Sequence, residues 1–260
     1  MIDSLFIASS GLNAQQTKID VISNNIANVN TAGYKKGKVN FADILNSEVN
    51  TGNNINDMAI TTNSIGAGVS ATASEKIFTD GSLKKTNAEL DLALSGNGFF
   101  EVELNNGTNA YTRAGTFKVD RDGFIVDKDG NYLSAMIQLP SDYERVYVSY
   151  EGVVSVKLPD EANPVDIGQI ELVSFVNPGS LQSTGNNLYV TSESSGDPIY
   201  GKPGDMGMGV LSQGYIESSN VDYIEELTEL VLAQRSYEMN SKMIQASDQI
   251  MGIINNLYRA

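Results

Sequence analysis

The chain has 260 residues, a formal net charge of −15, and neither cysteine nor histidine. It therefore holds no disulfide, zinc–thiolate centre, thiol nucleophile or imidazole base of its own. Nucleic acid is a poor partner for so acidic a chain, because phosphate contacts need clustered Lys and Arg. No run approaches the ~20 apolar residues of a membrane span, so no membrane insertion is expected. The opening residues Met1 to Ile7 lack a basic region and are not expected to be a cleavable signal peptide.

Residues 3–30 read as the first helix. Leu5, Leu12, Ile19 and Ile26 lie seven apart, and Ala8, Gln15, Ile22 and Val29 follow three further on. Asp3 or Ser4 can cap the start, and Gly33 can stop it in a left-handed conformation. Lys35, Lys36 and Lys38 then sit near the negative end of the helix dipole. Residues 34–68 read as an extended connector, polar and Asn-rich from 46 onward.

From about Val69 the period changes to two. Phe99, Glu101 and Glu103 alternate with Phe100, Val102 and Leu104, and Asn106-Gly107 offers a hairpin turn before Ala110. Asp122-Gly123, Asp129-Gly130 and Glu151-Gly152 punctuate further short runs, and Ile170–Val176 and Leu188–Thr191 add two more. Many short strands separated by turn signals predict an antiparallel β domain over 69–217.

The last segment, 218–260, reads as a long helix. Tyr223, Leu230, Tyr237, Ile244, Met251 and Tyr258 form an unbroken column seven apart, with Leu227 and Ile254 beside it and a partial second column at Ile224 and Val231. Asn220 is placed to cap its start, Glu225 and Glu226 complement its dipole, and Gln234 shares a face with Tyr237. The fold class is therefore α+β: long N- and C-terminal heptad helices in a coiled-coil-like domain, with a central antiparallel β-rich domain. Residues 1–33 are expected to pack with 218–260. Four buried Leu/Ile side chains contribute roughly 6–12 kcal/mol, against about 1–2 kcal/mol of backbone entropy for each of the residues ordered. So thin a strip is marginal alone, and copies are expected to share the seams.

Nothing in the chain points to a catalytic, cofactor or metal site. Asp120-Arg121-Asp122-Gly123 and Asp127-Lys128-Asp129-Gly130 open like calcium loops but lack Gly at the sixth position and Glu at the twelfth. Gly96-Asn97-Gly98 lacks the third glycine and following helix of a phosphate site.

Two long stretches carry a more specific signal. Ser10-Gly11-Leu12-Asn13-Ala14-Gln15-Gln16-Thr17, followed by Asp20 to Lys35 with Asn24, Asn25, Asn28, Thr31 and Gly33, resembles the N-terminal signature of bacterial flagellar rod and hook proteins. Gly214 to Val221, including Asn220, and Gln234 to Lys242, including Arg235 and Asn240, resemble the C-terminal one. Leu94–Phe100, Ala110–Phe117 and Gly185–Tyr189, with the chain length, resemble the distal-rod branch, whose straight-rod extension falls at 46–65. The resemblance implies a structural, non-enzymatic subunit, exported by the flagellar type III apparatus without cleavage. Its partners would be copies of itself in a helical tube, proximal rod proteins, hook protein, a rod cap protein, and the peptidoglycan- and outer-membrane-ring proteins. The helices would line the tube and the β domain would face outward. The neighbouring alternative is a proximal rod or short hook subunit. A carbohydrate-binding or adhesive β module is the alternative from another class.

Overall fold

The computed structural model describes residues 2–49, 62–104, 106–159, 161, 163–205 and 207–259. The two periodic ends become helix α1, Ile2–Ala27, and helix α2, Tyr223–Arg259. At 1.5 Å per residue the 37 residues of α2 span about 55 Å. The region between them is built from short antiparallel strands, so the chain is α+β as expected. Two compact units result. One comprises Met1–Ile26, Gly37–Glu75 and Tyr223–Ala260, and the other Ala27–Lys36 and Lys76–Asp222.

The helical unit holds more than helices. Gly37–Val49, within the segment 34–68 expected as a connector, and Thr62–Lys76, which runs from it into the expected β region, pair as a two-stranded sheet. Asn40, near the start of one strand, donates to Glu75 at the end of the other at 2.9 Å, which sets them antiparallel. Both carry period-two alternation: Val39, Phe41 and Leu45 share one parity in the first, and Ile65, Ala67, Val69, Ala71 and Ala73 alternate with Gly66, Gly68, Ser70, Thr72 and Ser74 in the second. The stretch 50–61 of the expected extension lies outside the described residues. The second strand rests on α1 through Ser10, whose Oγ donates to Ile7 O at 2.8 Å and accepts from Val69 N at 3.2 Å.

The β unit confirms the turn chemistry. Gly107, Gly123, Gly130 and Gly152 all have positive φ (75°, 87°, 88° and 82°), the conformation that Xaa-Gly hairpin turns demand. Its central sheet orders the strands Gln182–Gly185, Leu188–Val190, Asn109–Thr112, Phe99–Glu103, Tyr132–Leu133, Ile125–Val126 and Lys118–Val119. Leu172–Ser174 also pairs with Phe99–Glu103. The alternation along Phe99–Glu103 feeds two clusters. Phe100 and Val102 enter the main core with Leu92, Leu94, Val154, Ile170 and Leu172. On the other side Phe99 joins Tyr111, Phe175 and Tyr189, with Phe78 edge-on to Phe99 at 5.0 Å. Glu101, though charged, is buried on this second side, accepting from Tyr200 Oη and Asn109 Nδ2 at 2.9 Å each.

The calcium-like loops are hairpin turns. Asp127 accepts from the Asp129 and Asn131 amides at 2.7 and 3.0 Å and from Asn131 Nδ2 at 2.8 Å. Its carboxylate is spent on closing its own turn.

Candidate functional site

In the helical unit α1 and α2 meet along a face that is more polar than the apolar columns suggest. Asn25 Nδ2 donates to Glu226 Oε2 at 3.0 Å, Lys18 forms an ion pair with Glu229, and Gly11 lies against Asn240. Numbers fall along one helix as they rise along the other, so the pair is antiparallel. An added Cβ on Gly11 would sit 3.0 Å from Asn240 Nδ2, so a glycine lets the two helices approach closely here. Asn25 also exchanges two hydrogen bonds with Gly37, donating to its O at 3.0 Å and accepting from its N at 2.9 Å. One buried amide thus ties the end of α1, the first strand and the start of α2.

The residues of the expected seams are distributed unevenly. Ile22 is buried, and Leu5, Leu12, Ile19, Ile26, Val29, Leu230, Ile244 and Met251 are half-buried. Tyr223, Leu227, Gln234 and Tyr237 are exposed, as are Ile224 and Val231. The covered face of α2 is centred on Glu226, Ala233 and Asn240. Along the Tyr223 column Tyr223 and Tyr237 are exposed, whereas Leu230, Ile244 and Met251 are half-buried. Glu226 is therefore a buried hydrogen-bond acceptor as well as a charge near the helix start. Its signal was in the sequence: Gly11, Lys18 and Asn25 lie seven apart, as do Glu226, Ala233 and Asn240.

In the β unit, the segment that leaves α1 and the segment that leads to α2 are locked together. Gly33 N donates to Glu217 O at 2.8 Å, and Lys36 N to Asn220 Oδ1 at 2.7 Å. Asn220 Nδ2 donates to Ile77 O at 2.8 Å and Thr79 Oγ1 at 3.0 Å. Asn220 is thus not the cap of α2, which begins three residues later; its amide is consumed in stitching these segments. Asn28 accepts from Thr31 Oγ1 at 3.2 Å within the turn that follows α1. Gly33 has φ +70°, and a Cβ there would lie 2.5 Å from Ala114 N, so only glycine fits. Asn24 and Arg235 are exposed.

At the centre of this lock are three buried charges. Lys35 Nζ donates to Glu217 Oε1 and to Thr79 O, each at 2.6 Å, and Glu217 Oε1 also accepts from Gly81 N at 2.8 Å. Arg113 Nη1 lies 3.6 Å from both Glu217 Oε2 and Asp80 Oδ1, a charge contact too long for a hydrogen bond. Its guanidinium also covers the Phe99 ring, 5.4 Å from the centroid. Burial pushes the Lys35 ammonium below the usual lysine range and Glu217 opposes it, while Arg113 is lowered by burial in the same way. Lys35, which the sequence places near the negative end of the helix dipole, is fully buried, and Arg113 and Glu217 fall within the signature stretches with no separate role expected of them. Only the fold brings the three together.

This is an architecture of clamps and faces. Three family models match it: "Flagella basal body rod protein" over residues 5–35, "Flagellar hook protein FlgE/F/G D1 domain" over 93–156, and "Flagellar basal body rod FlgEFG protein C-terminal" over 212–257. The flagellar basal-body rod protein FlgG of Buchnera aphidicola (subsp. Acyrthosiphon pisum) is 41% identical over 260 residues, covering 99% of this chain and 100% of that protein. FlgG of Borreliella burgdorferi is 41% identical, with 100% of both chains covered, and FlgG of Bacillus subtilis is 40% identical, with 100% of both covered. The chain is a member of the flagellar basal-body rod protein family, structural and not enzymatic.

Proposed function

We propose that this chain is the structural subunit of the distal rod, polymerising into a hollow helical shaft that carries motor torque to the hook through the peptidoglycan and outer-membrane rings. Export through the flagellar type III apparatus, assembly under a rod cap protein, and contacts with proximal rod, hook and ring proteins belong to the same reading, as does an extracytoplasmic basal-body location. Full-length similarity to FlgG proteins favours the distal rod over a hook subunit.

The observation that carries self-assembly is a second apolar stripe on α2. Leu232, Met239, Met243, Ile250 and Leu257 are each more than half exposed. At 100° per residue they fall within an arc of about 40°. That arc is turned roughly 100° from the face holding Glu226, Ala233 and Asn240. Fully burying such a side chain is worth about 1.5–3 kcal/mol and covering the exposed part roughly half of that, and the described residues leave that part in solvent. A second copy covers them.

The test uses the purified full-length chain. Concentration is expected to give hollow filaments by electron microscopy. Leu232→Asp is expected to stay soluble with an unchanged circular dichroism spectrum, because the charge is desolvated only on assembly. Filaments formed equally well by this variant would remove the stripe from the subunit contact.

A further inference from the structure

Two methionines lie on the uncovered stripe. Met239 and Met243 are each 62% exposed and stand one helical turn apart, so both thioethers of an unassembled subunit are open to solvent. Of the other described methionines, Met208 and Met251 are half-buried, and Met136 is exposed on a turn of the β unit. We infer that Met239 and Met243 form an oxidation-sensitive pair that controls whether a subunit can enter the assembly. This rests on the reading of the stripe as the subunit contact.

The chemistry is a two-electron oxygen transfer. A sulfur lone pair attacks the terminal oxygen of a peroxide, the O–O bond breaks and an S–O bond forms. The thioether is oxidised to the sulfoxide and hydrogen peroxide is reduced to water. The product places a polar, hydrogen-bond-accepting S–O group where a flexible apolar side chain had been. Leu232, Ile250 and Leu257 on the stripe are hydrocarbon and offer it no donor, and the cations nearest in sequence, Arg235 and Lys242, lie off the stripe. Two such groups oppose burial against a neighbour. A subunit already in the shaft has its thioethers covered, so the control acts on free subunits. Reduction of the sulfoxide restores the apolar surface.

The experiment treats the full-length chain with hydrogen peroxide, locates sulfoxides by peptide mass spectrometry, and measures the concentration at which filaments appear. Sulfoxide is expected at Met239 and Met243 ahead of Met208 and Met251. The threshold concentration is expected to rise by roughly tenfold or more and to return after methionine sulfoxide reductase treatment. Met239→Leu/Met243→Leu is expected to assemble after peroxide as before it, whereas Met136→Leu keeps the sensitivity. Oxidised subunits that assemble at the original threshold overturn the inference, and so does a double-leucine variant that remains sensitive. If the unoxidised chain never forms filaments, the subunit reading itself fails, which is a separate result.

Discussion

Glu217 and Lys35 are 182 residues apart in sequence and share a 2.6 Å ion pair in which neither side chain is exposed. Glu217 faces a second cation as well, the Arg113 guanidinium at 3.6 Å. The two substitutions that break the pair are therefore unequal. Glu217→Gln leaves two buried cations with only the half-exposed Asp80 carboxylate beside Arg113, whereas Lys35→Met leaves one cation with two carboxylates. Breaking a buried pair costs roughly 3–5 kcal/mol. Urea unfolding is expected to put Glu217→Gln at the upper end of that range and Lys35→Met at the lower. The reverse order would mean that Arg113 does not feel Glu217.

Gly33 and Gly130 separate two costs. Both have positive φ, but a Cβ on Gly33 would lie 2.5 Å from Ala114 N, while one on Gly130 meets nothing within 4 Å. Gly130→Ala should lose only the backbone term of about 1–2 kcal/mol. Gly33→Ala carries a backbone clash in addition and should lose more in the same denaturant titration. Equal losses would show that the loop carrying Ala114 yields freely.

Gly11 sets two effects against each other. Alanine in a helix interior is better than glycine by about 1 kcal/mol, but the added Cβ comes within 3.0 Å of Asn240 Nδ2. Gly11→Ala is expected to be close to neutral in thermal melts followed by circular dichroism. In an Asn240→Ala background, where the obstacle is gone, the same change should stabilise by about 1 kcal/mol. Gly11→Leu cannot be accommodated by a side-chain shift and should part the helices.

Alkaline pH acts on the β unit through buried phenols. Burial first, then Glu101 and Tyr200, holds the Tyr111 phenol protonated beyond the usual range; burial, then Tyr34 and Glu217, does the same for Tyr189. Unfolded tyrosine ionises near 10. Above that pH the folded state holds more protons than the unfolded one, so stability falls as pH rises. Lys35 and Lys76, both lowered by burial, act in the opposite sense below the ordinary lysine range, because the folded state gives up those protons first. Tyr189→Phe should flatten the decline above pH 10 in unfolding free energies measured across the alkaline range. An unchanged slope would assign it elsewhere.

Much of the fold was legible in the sequence because it rests on local rules. Heptad spacing fixed the existence of both helices, and the Xaa-Gly pairs fixed the hairpin turns to the residue. The strand Gly37–Val49 and the part of Thr62–Lys76 before Val69 fall within the expected connector, because the small and polar side chains of 46–68 outweigh an alternation that Ile65, Ala67 and Val69 do show. The charged lock was hidden for a different reason. Lys35, Arg113 and Glu217 are common surface residues individually, and nothing local marks them as buried. The apolar columns are expected as seams shared between copies; within the chain the covered face of α2 is centred on Glu226, Ala233 and Asn240.

That last feature has a consequence for how subunits avoid satisfying themselves. Within one molecule the covered face of α2 is built around Glu226, Ala233 and Asn240, while the stripe proposed to meet a neighbour is hydrocarbon and thioether. Covering the first face leaves the second as it was, so on the proposed reading a subunit whose ends are folded together is still open to a partner.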